Sequence, residues 1–175
     1  MTFERIGGRT AWEGRIASVR VDRFRYDDGE EAEREIVAHP GAVAVVAHDG
    51  ERLYLVRQPR EAVEEQALLE LPAGKLDEEG EDALDTAKRE LAEEIGKGAR
   101  TWRYLTSFYT SPGFANEECH VYLATDLYDE RAEADDAERI EIVEAPLAEL
   151  DDVIAECRDS KTLVGLLWFR AYLRG

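Results

Sequence analysis

The chain has 175 residues, with 40 acidic against 22 basic side chains, a formal net charge of −18, 44% hydrophobic residues and two cysteines. That length suits one domain with at most a small appendage, and the apolar share argues against wholesale disorder. Such a chain lacks the clustered Lys and Arg that nucleic-acid phosphates require, so nucleic acid is not an expected partner. No apolar run is long enough to span a membrane, and no basic start followed by an apolar stretch marks a secretion leader. Cys119 and Cys157, with no CxxC, fit a reduced compartment. A soluble cytoplasmic protein is expected, whose anionic substrates would need a metal ion or local arginines.

Imperfect alternation of Ile16, Val19, Val21, Phe24 and Tyr26 predicts a strand over 14–26, and Asp27-Asp28-Gly29 a turn. Arg34–His39 reads as a further strand ending at Pro40-Gly41. Ala42–Ala47 has the composition of a buried strand, and Asp49-Gly50 turns it into Leu53–Arg57. Ala67–Leu71 is a short strand stopped by Pro72-Ala73-Gly74. An acidic loop then leads to a helix from Asp82 to Ile95, with Gly96 as its stop. Strands return over Thr101–Tyr109, His120–Ala124 and Arg139–Val143, and two helices, Leu147–Glu156 and Lys161–Leu173, complete the chain. The order predicts a mixed α/β (α+β) domain with its sheet packed between helices. Neither GxGxxG nor a P-loop occurs.

In the central helix, Leu84, Ala87, Leu91 and Ile95 form an apolar stripe, and Thr86, Glu90, Glu93 and Glu94 lie on the neighbouring face. Glu90 and Glu94, four apart, project from adjacent turns and repel unless a cation or arginine joins them. Hard oxygen donors at this density suit Mg²⁺ or Mn²⁺. A solvated acidic face is the plain alternative in so acidic a chain. The histidines lack metal-ligand spacing, and no Cys-His nucleophile pattern is readable.

Gly74, Glu81, Arg89, Glu90, Glu93, Glu94 and Gly96 together read Gly-x6-Glu-x7-Arg-Glu-Leu-x-Glu-Glu-x-Gly. This resembles the signature of the Nudix hydrolases, which cleave nucleoside diphosphates linked to another group. One extra residue lies between Gly74 and Glu81, and Lys97 stands where the family has an apolar residue. The resemblance extends to the ADP-ribose pyrophosphatases through Arg34-Glu35-x-Val-x-His39-Pro40-Gly41, Arg57-Gln58-Pro59-Arg60 and Glu70-Leu71-Pro72-Ala73-Gly74. Ser107-Phe108-Tyr109-Thr110-Ser111-Pro112-Gly113-Phe114-x-x-Glu117 continues it, with Pro112 at the marker position sixteen residues beyond Gly96.

The resemblance implies an α/β/α sandwich with a mixed sheet over 41–175, preceded by an N-terminal antiparallel β region over 1–40 that forms a homodimer. It implies that Glu90, Glu94 and the Ala73 carbonyl ligate Mg²⁺, with Glu93 a further ligand or a support. Arg89 would orient the carboxylates, and Gly74 would give the backbone the freedom to bring the Ala73 carbonyl in. Glu117 would be the general base, with Glu118 and Glu93 as alternatives. Arg60 would contact phosphate, and Arg34, Glu35, Pro112 and Ile16 would hold the nucleoside. Trp12 and Trp168 are open between packing and stacking roles. The implied activity is Mg-dependent hydrolysis of ADP-ribose to AMP and ribose 5-phosphate. The alternatives are another nucleotide sugar or dinucleotide as substrate, or a non-catalytic ADP-ribose-binding module.

Overall fold

A computed structural model describes residues 2–130, 132 and 139–174. The chain divides into two compact units, Met1–Gly41 with Tyr109–Glu118, and Ala42–Phe108 with Cys119–Gly175. The first unit holds an antiparallel sheet of β1 (Phe3–Glu13), β2 (Ser18–Tyr26) and β3 (Glu31–Ala38), in that order. β1 carries no apolar alternation and was not expected as a strand. It forms because β2 supplies backbone partners along its length, with register slips between Arg5 and Gly7 and between Thr10 and Trp12. Ile16 lies in the link between β1 and β2, outside the strand expected to contain it, and is 64% exposed.

The 109–118 segment joins this unit through its backbone. The Val37 amide donates to the Phe114 carbonyl (2.8 Å), and the Asn116 amide donates to the Val37 carbonyl (3.2 Å). The loop is therefore pinned to β3 on both sides of Ala115, which forms a parallel bridge with Val37.

In the second unit, β4 (Ala42–His48) is fully buried from Val43 to Ala47, so the strand must be covered on both faces. Its partners are β5 (Arg52–Arg60) and the short β7 (Ala73–Lys75), both antiparallel, and β9 (Glu118–Asp129), which runs parallel. With β6 (Glu65–Glu70), β8 (Lys97–Tyr109) and β10 (Glu141–Pro146) they form one seven-stranded mixed sheet.

Period-2 alternation divides the core into two layers. Val43, Val45 and Ala47 face Ala87, Leu91 and Ile95 of helix α1 (Ala83–Ile95). Ala44 and Val46 face Leu166 and Phe169 of helix α3 (Ser160–Arg174), with Leu150 and Val153 of α2 (Leu150–Glu156) in the same layer. Each such buried Val or Leu contributes about 1.5–3 kcal/mol. The unit is an α/β/α sandwich, as the sequence implies.

Helix α1 has the ends that its sequence predicts. The Asp82 side chain accepts from the Leu84 and Asp85 amides, and Gly96 ends the helix at φ 65°, in the left-handed region. Helix α3 packs closely at Gly165, where a Cβ would stand 2.6 Å from Leu71 Cδ1 and 3.3 Å from Val121 Cγ1 of β9. Trp12 and Trp168 are 59% and 50% exposed, which excludes a core role for either.

Candidate active site

Four acidic side chains of the second unit surround two anchors, Arg89 and Ala73. Arg89 Nε and Nη2 both reach Glu81, at 3.1 Å from Oε1 and Oε2 respectively. Arg89 Nη1 donates to Glu90 Oε1 at 2.8 Å and Glu93 Oε2 at 3.0 Å. One guanidinium thus offsets the repulsion among three carboxylates, two of them on its own helix. The hydrogen bond to Glu81 is the main cause that raises the Arg89 pKa, against the opposing effect of burial. Reciprocally, Arg89 is the main cause that lowers the Glu81 pKa, and the Thr86 hydroxyl, 2.9 Å from Glu81 Oε2, adds to it.

Glu94 is nearly buried and accepts the Ala73 amide hydrogen at 3.0 Å. Glu90 lies against Gly74, where a Cβ would come within 1.9 Å of Glu90 Oε1. Gly74 is thus required for space, and its φ lies outside the left-handed region. The residue extra to the signature lies in the 76–82 loop, which turns at Gly80 (φ 86°) and leaves the contact between Gly74 and Glu90 in place.

Among the described residues, no three His, Cys, Asp or Glu side chains converge closely enough to hold an ion. The donor set nevertheless fits a hard divalent cation. Glu90, Glu93, Glu94 and the Ala73 carbonyl offer oxygen alone, and the space opposite Gly74 is taken by the Glu90 side chain, which a Cβ at 74 would displace.

Arg60 is the last residue of β5 and is engaged with Glu70, Nε to Oε1 at 2.6 Å and Nη2 to Oε2 at 2.7 Å. This bond is the main cause that raises its pKa, against burial, and the Asp159 and Glu94 charges add to it. Neither Glu70 nor its second partner, Lys161, was singled out from sequence. Glu70 stands in the Glu-Leu-Pro-Ala-Gly run, but nothing local points to a lysine 91 residues further on.

In the first unit, Arg34, Glu35 and Pro112 line one cavity of about 360 Å³ together with Phe3, Phe24 and Tyr26. Arg34 is fixed there by the Tyr26 hydroxyl (2.9 Å) and the Glu33 carbonyl (2.8 Å). Ile16 does not line this cavity. Glu117 Oε2 accepts from the Thr110 hydroxyl at 2.7 Å, and its Oε1 is 3.4 Å from His39 Nδ1. Glu118 is the first residue of β9. Thr110 and His39 were not singled out for Glu117: Thr110 meets it through the loop's own closure, where the Thr110 amide donates to the Glu117 carbonyl at 3.1 Å, and His39 only through the pairing of the loop with β3.

A NUDIX domain profile matches residues 38–163, and the chain belongs to the Nudix family. It is 39% identical to an ADP-ribose pyrophosphatase of Bacillus subtilis (strain 168) over 170 residues, 94% of this chain and 91% of that protein. It is 41% identical to a methanol dehydrogenase activator of Bacillus methanolicus over 162 residues, 90% of this chain and 86% of that one. A crystal structure of an ADP compounds hydrolase superposes with a TM-score of 0.87 at 26% identity, covering 100% of this chain and 96% of the other.

Proposed function

We propose that the protein hydrolyses the pyrophosphate bond of ADP-ribose, adding water across it to release AMP and ribose 5-phosphate. The observation that carries this reading is the acidic cluster of Glu90, Glu93 and Glu94 beside Arg89, Gly74 and Ala73. The extensive likeness to an ADP-ribose pyrophosphatase supports the substrate.

Glu90 and Glu94, with the Ala73 carbonyl and Glu93, would hold Mg²⁺ or Mn²⁺. Such an ion neutralises diphosphate charge and lowers the pKa of bound water. Arg89 orients the carboxylates of Glu90 and Glu93. Arg60 directs positive charge to the phosphates, so that the chain contributes mainly positioning and electrostatic stabilisation. Glu117 accepts the proton of the attacking water, oriented for it by the Thr110 hydroxyl; Glu118 and Glu93 are the alternative bases. Arg34, Glu35 and Pro112, with their aromatic neighbours, offer the nucleoside both flat apolar surface and hydrogen bonds.

The N-terminal sheet forms a homodimer in this reading, and the protein works in the cytoplasm. Among the described residues, no helix is long and apolar enough to cross a membrane. A keeping of metal ligands argues against a pure binding module.

The test is phosphorus NMR of the protein with ADP-ribose, Mg²⁺ and oxygen-18 water, with Glu94→Gln as control. AMP and ribose 5-phosphate should appear and vanish in the variant. Binding without turnover supports a sensor, and neither binding nor turnover directs attention to other diphosphate compounds.

A further inference from the structure

Glu70 ends β6 with no exposed surface, a position where a charge persists only if it is paired and hydrogen-bonded. Arg60 takes both carboxylate oxygens through its Nε–Nη2 edge. Lys161, in the first turn of α3, donates to Glu70 Oε2 as well. Lys161 also lies 3.1 Å from Asp159, which accepts the Thr162 amide at 3.0 Å and the Thr162 hydroxyl at 2.7 Å. The Thr162 hydroxyl oxygen in turn accepts the Leu71 amide at 2.8 Å. One connected polar network therefore runs from the start of α3, through the end of β6, to the end of β5.

A sandwich of this kind does not need such a network for stability. Apolar residues of similar volume in place of a buried ion cluster are often neutral or stabilising. What the network does is fix the plane of one guanidinium. With its Nε and Nη2 edge committed to Glu70, the remaining Arg60 N–H groups face away from that carboxylate. Arg60 keeps 42% of its side chain exposed, and its partner Glu70 stands three residues before Ala73, whose amide binds Glu94 of the acidic site. A single carboxylate would also balance the charge of Arg60, and Lys161 is the second cation that shares Glu70.

We propose that Glu70 is a positioning residue that aims Arg60 at the substrate diphosphate, and that Lys161 holds Glu70 in place for that task. The C-terminal helix thereby becomes part of the phosphate clamp. The assignment rests on the reading of Arg60 as a phosphate contact.

The test is a double-mutant cycle of Arg60→Ala and Glu70→Gln in the full chain, with Lys161→Met alongside. Three quantities are read: kcat and KM for ADP-ribose with Mg²⁺, the calorimetric Kd for ADP-ribose in EDTA, and the melting temperature. Arg60→Ala should raise KM and Kd on the order of tenfold, as for loss of a charged hydrogen bond. Glu70→Gln and Lys161→Met should raise them several-fold with kcat less affected, and the double variant should match Arg60→Ala alone. Glu70→Gln acting on KM and Kd with full additivity, or not at all, overturns the proposal. If Glu70→Gln does not fold, the same cycle with Lys161→Met decides. Absence of wild-type turnover with intact binding defeats the proposed activity instead, and the cycle is then read on Kd.

Discussion

The Ala73 amide donates to the Glu94 carboxylate at 3.0 Å, joining the start of β7 to the last turn of α1. The Ala73 amide thereby orients one oxygen of the Glu94 carboxylate. A glutamine at 94 can still accept that hydrogen bond but lacks the charge. Glu94→Gln should lower kcat on the order of a hundredfold, about 2.7 kcal/mol of barrier, while the melting temperature moves by only a few degrees. Single-turnover kinetics and thermal melting read the two effects separately. A rate loss that merely follows a loss of folded protein would make Glu94 a structural residue.

Gly74 and Glu90 give a second, steric prediction. A Cβ at 74 would come within 1.9 Å of Glu90 Oε1. Gly74→Ala should therefore displace the carboxylate, at a stability cost of about 1–3 kcal/mol for overpacking. Mn²⁺ affinity, followed by electron paramagnetic resonance, should fall about tenfold, equivalent to 1.4 kcal/mol. Unchanged Mn²⁺ affinity would remove Glu90 from the ligand set.

The pair of Glu81 and Arg89 predicts acid sensitivity. Arg89 holds the Glu81 carboxyl below its ordinary value of 4.5. The folded state therefore binds this proton more weakly than the unfolded chain does. Its contribution to stability is complete above the unfolded value and is lost as the pH falls through the folded one. Glu81→Gln should lower the melting temperature at about pH 7, and the gap from wild type should narrow below about pH 4.5. A gap independent of pH would assign the loss to something other than the ionised pair.

Helix α1 was legible because all its determinants are local: the Asp82 cap, the Gly96 stop and the stripe of Ala87, Leu91 and Ile95. The central strand β4 was equally plain, since a strand covered on both faces is apolar throughout. Strand β1 was not, because its backbone partner and not its own pattern makes it a strand. The three-residue β7 was read as the stop of the preceding strand, and only its pairing with Ala42–Ala44 reveals it. The same division holds in the site. Arg89 with Glu90, Glu93 and Glu94 is written within six residues, whereas the contacts of Glu70 span 10 residues to Arg60 and 91 to Lys161. Periodicity reports which face a side chain occupies and carries no information about distant partners.

The parallel pairing of β4 with β9 carries a consequence for how the chain matures. Ala42 pairs with Cys119 and Ala47 with Ala124, so each contact closes a loop of 77 residues. During synthesis, the most apolar strand emerges long before the neighbour that completes its pairing. The chain must therefore keep Ala42–His48 from pairing with other polypeptides until β9 is available. Folding dominated by such distant pairing falls toward the slow end for domains of this size. Substitutions that weaken β9 should accordingly reduce the yield of soluble protein in cells more than they reduce the stability of molecules already folded.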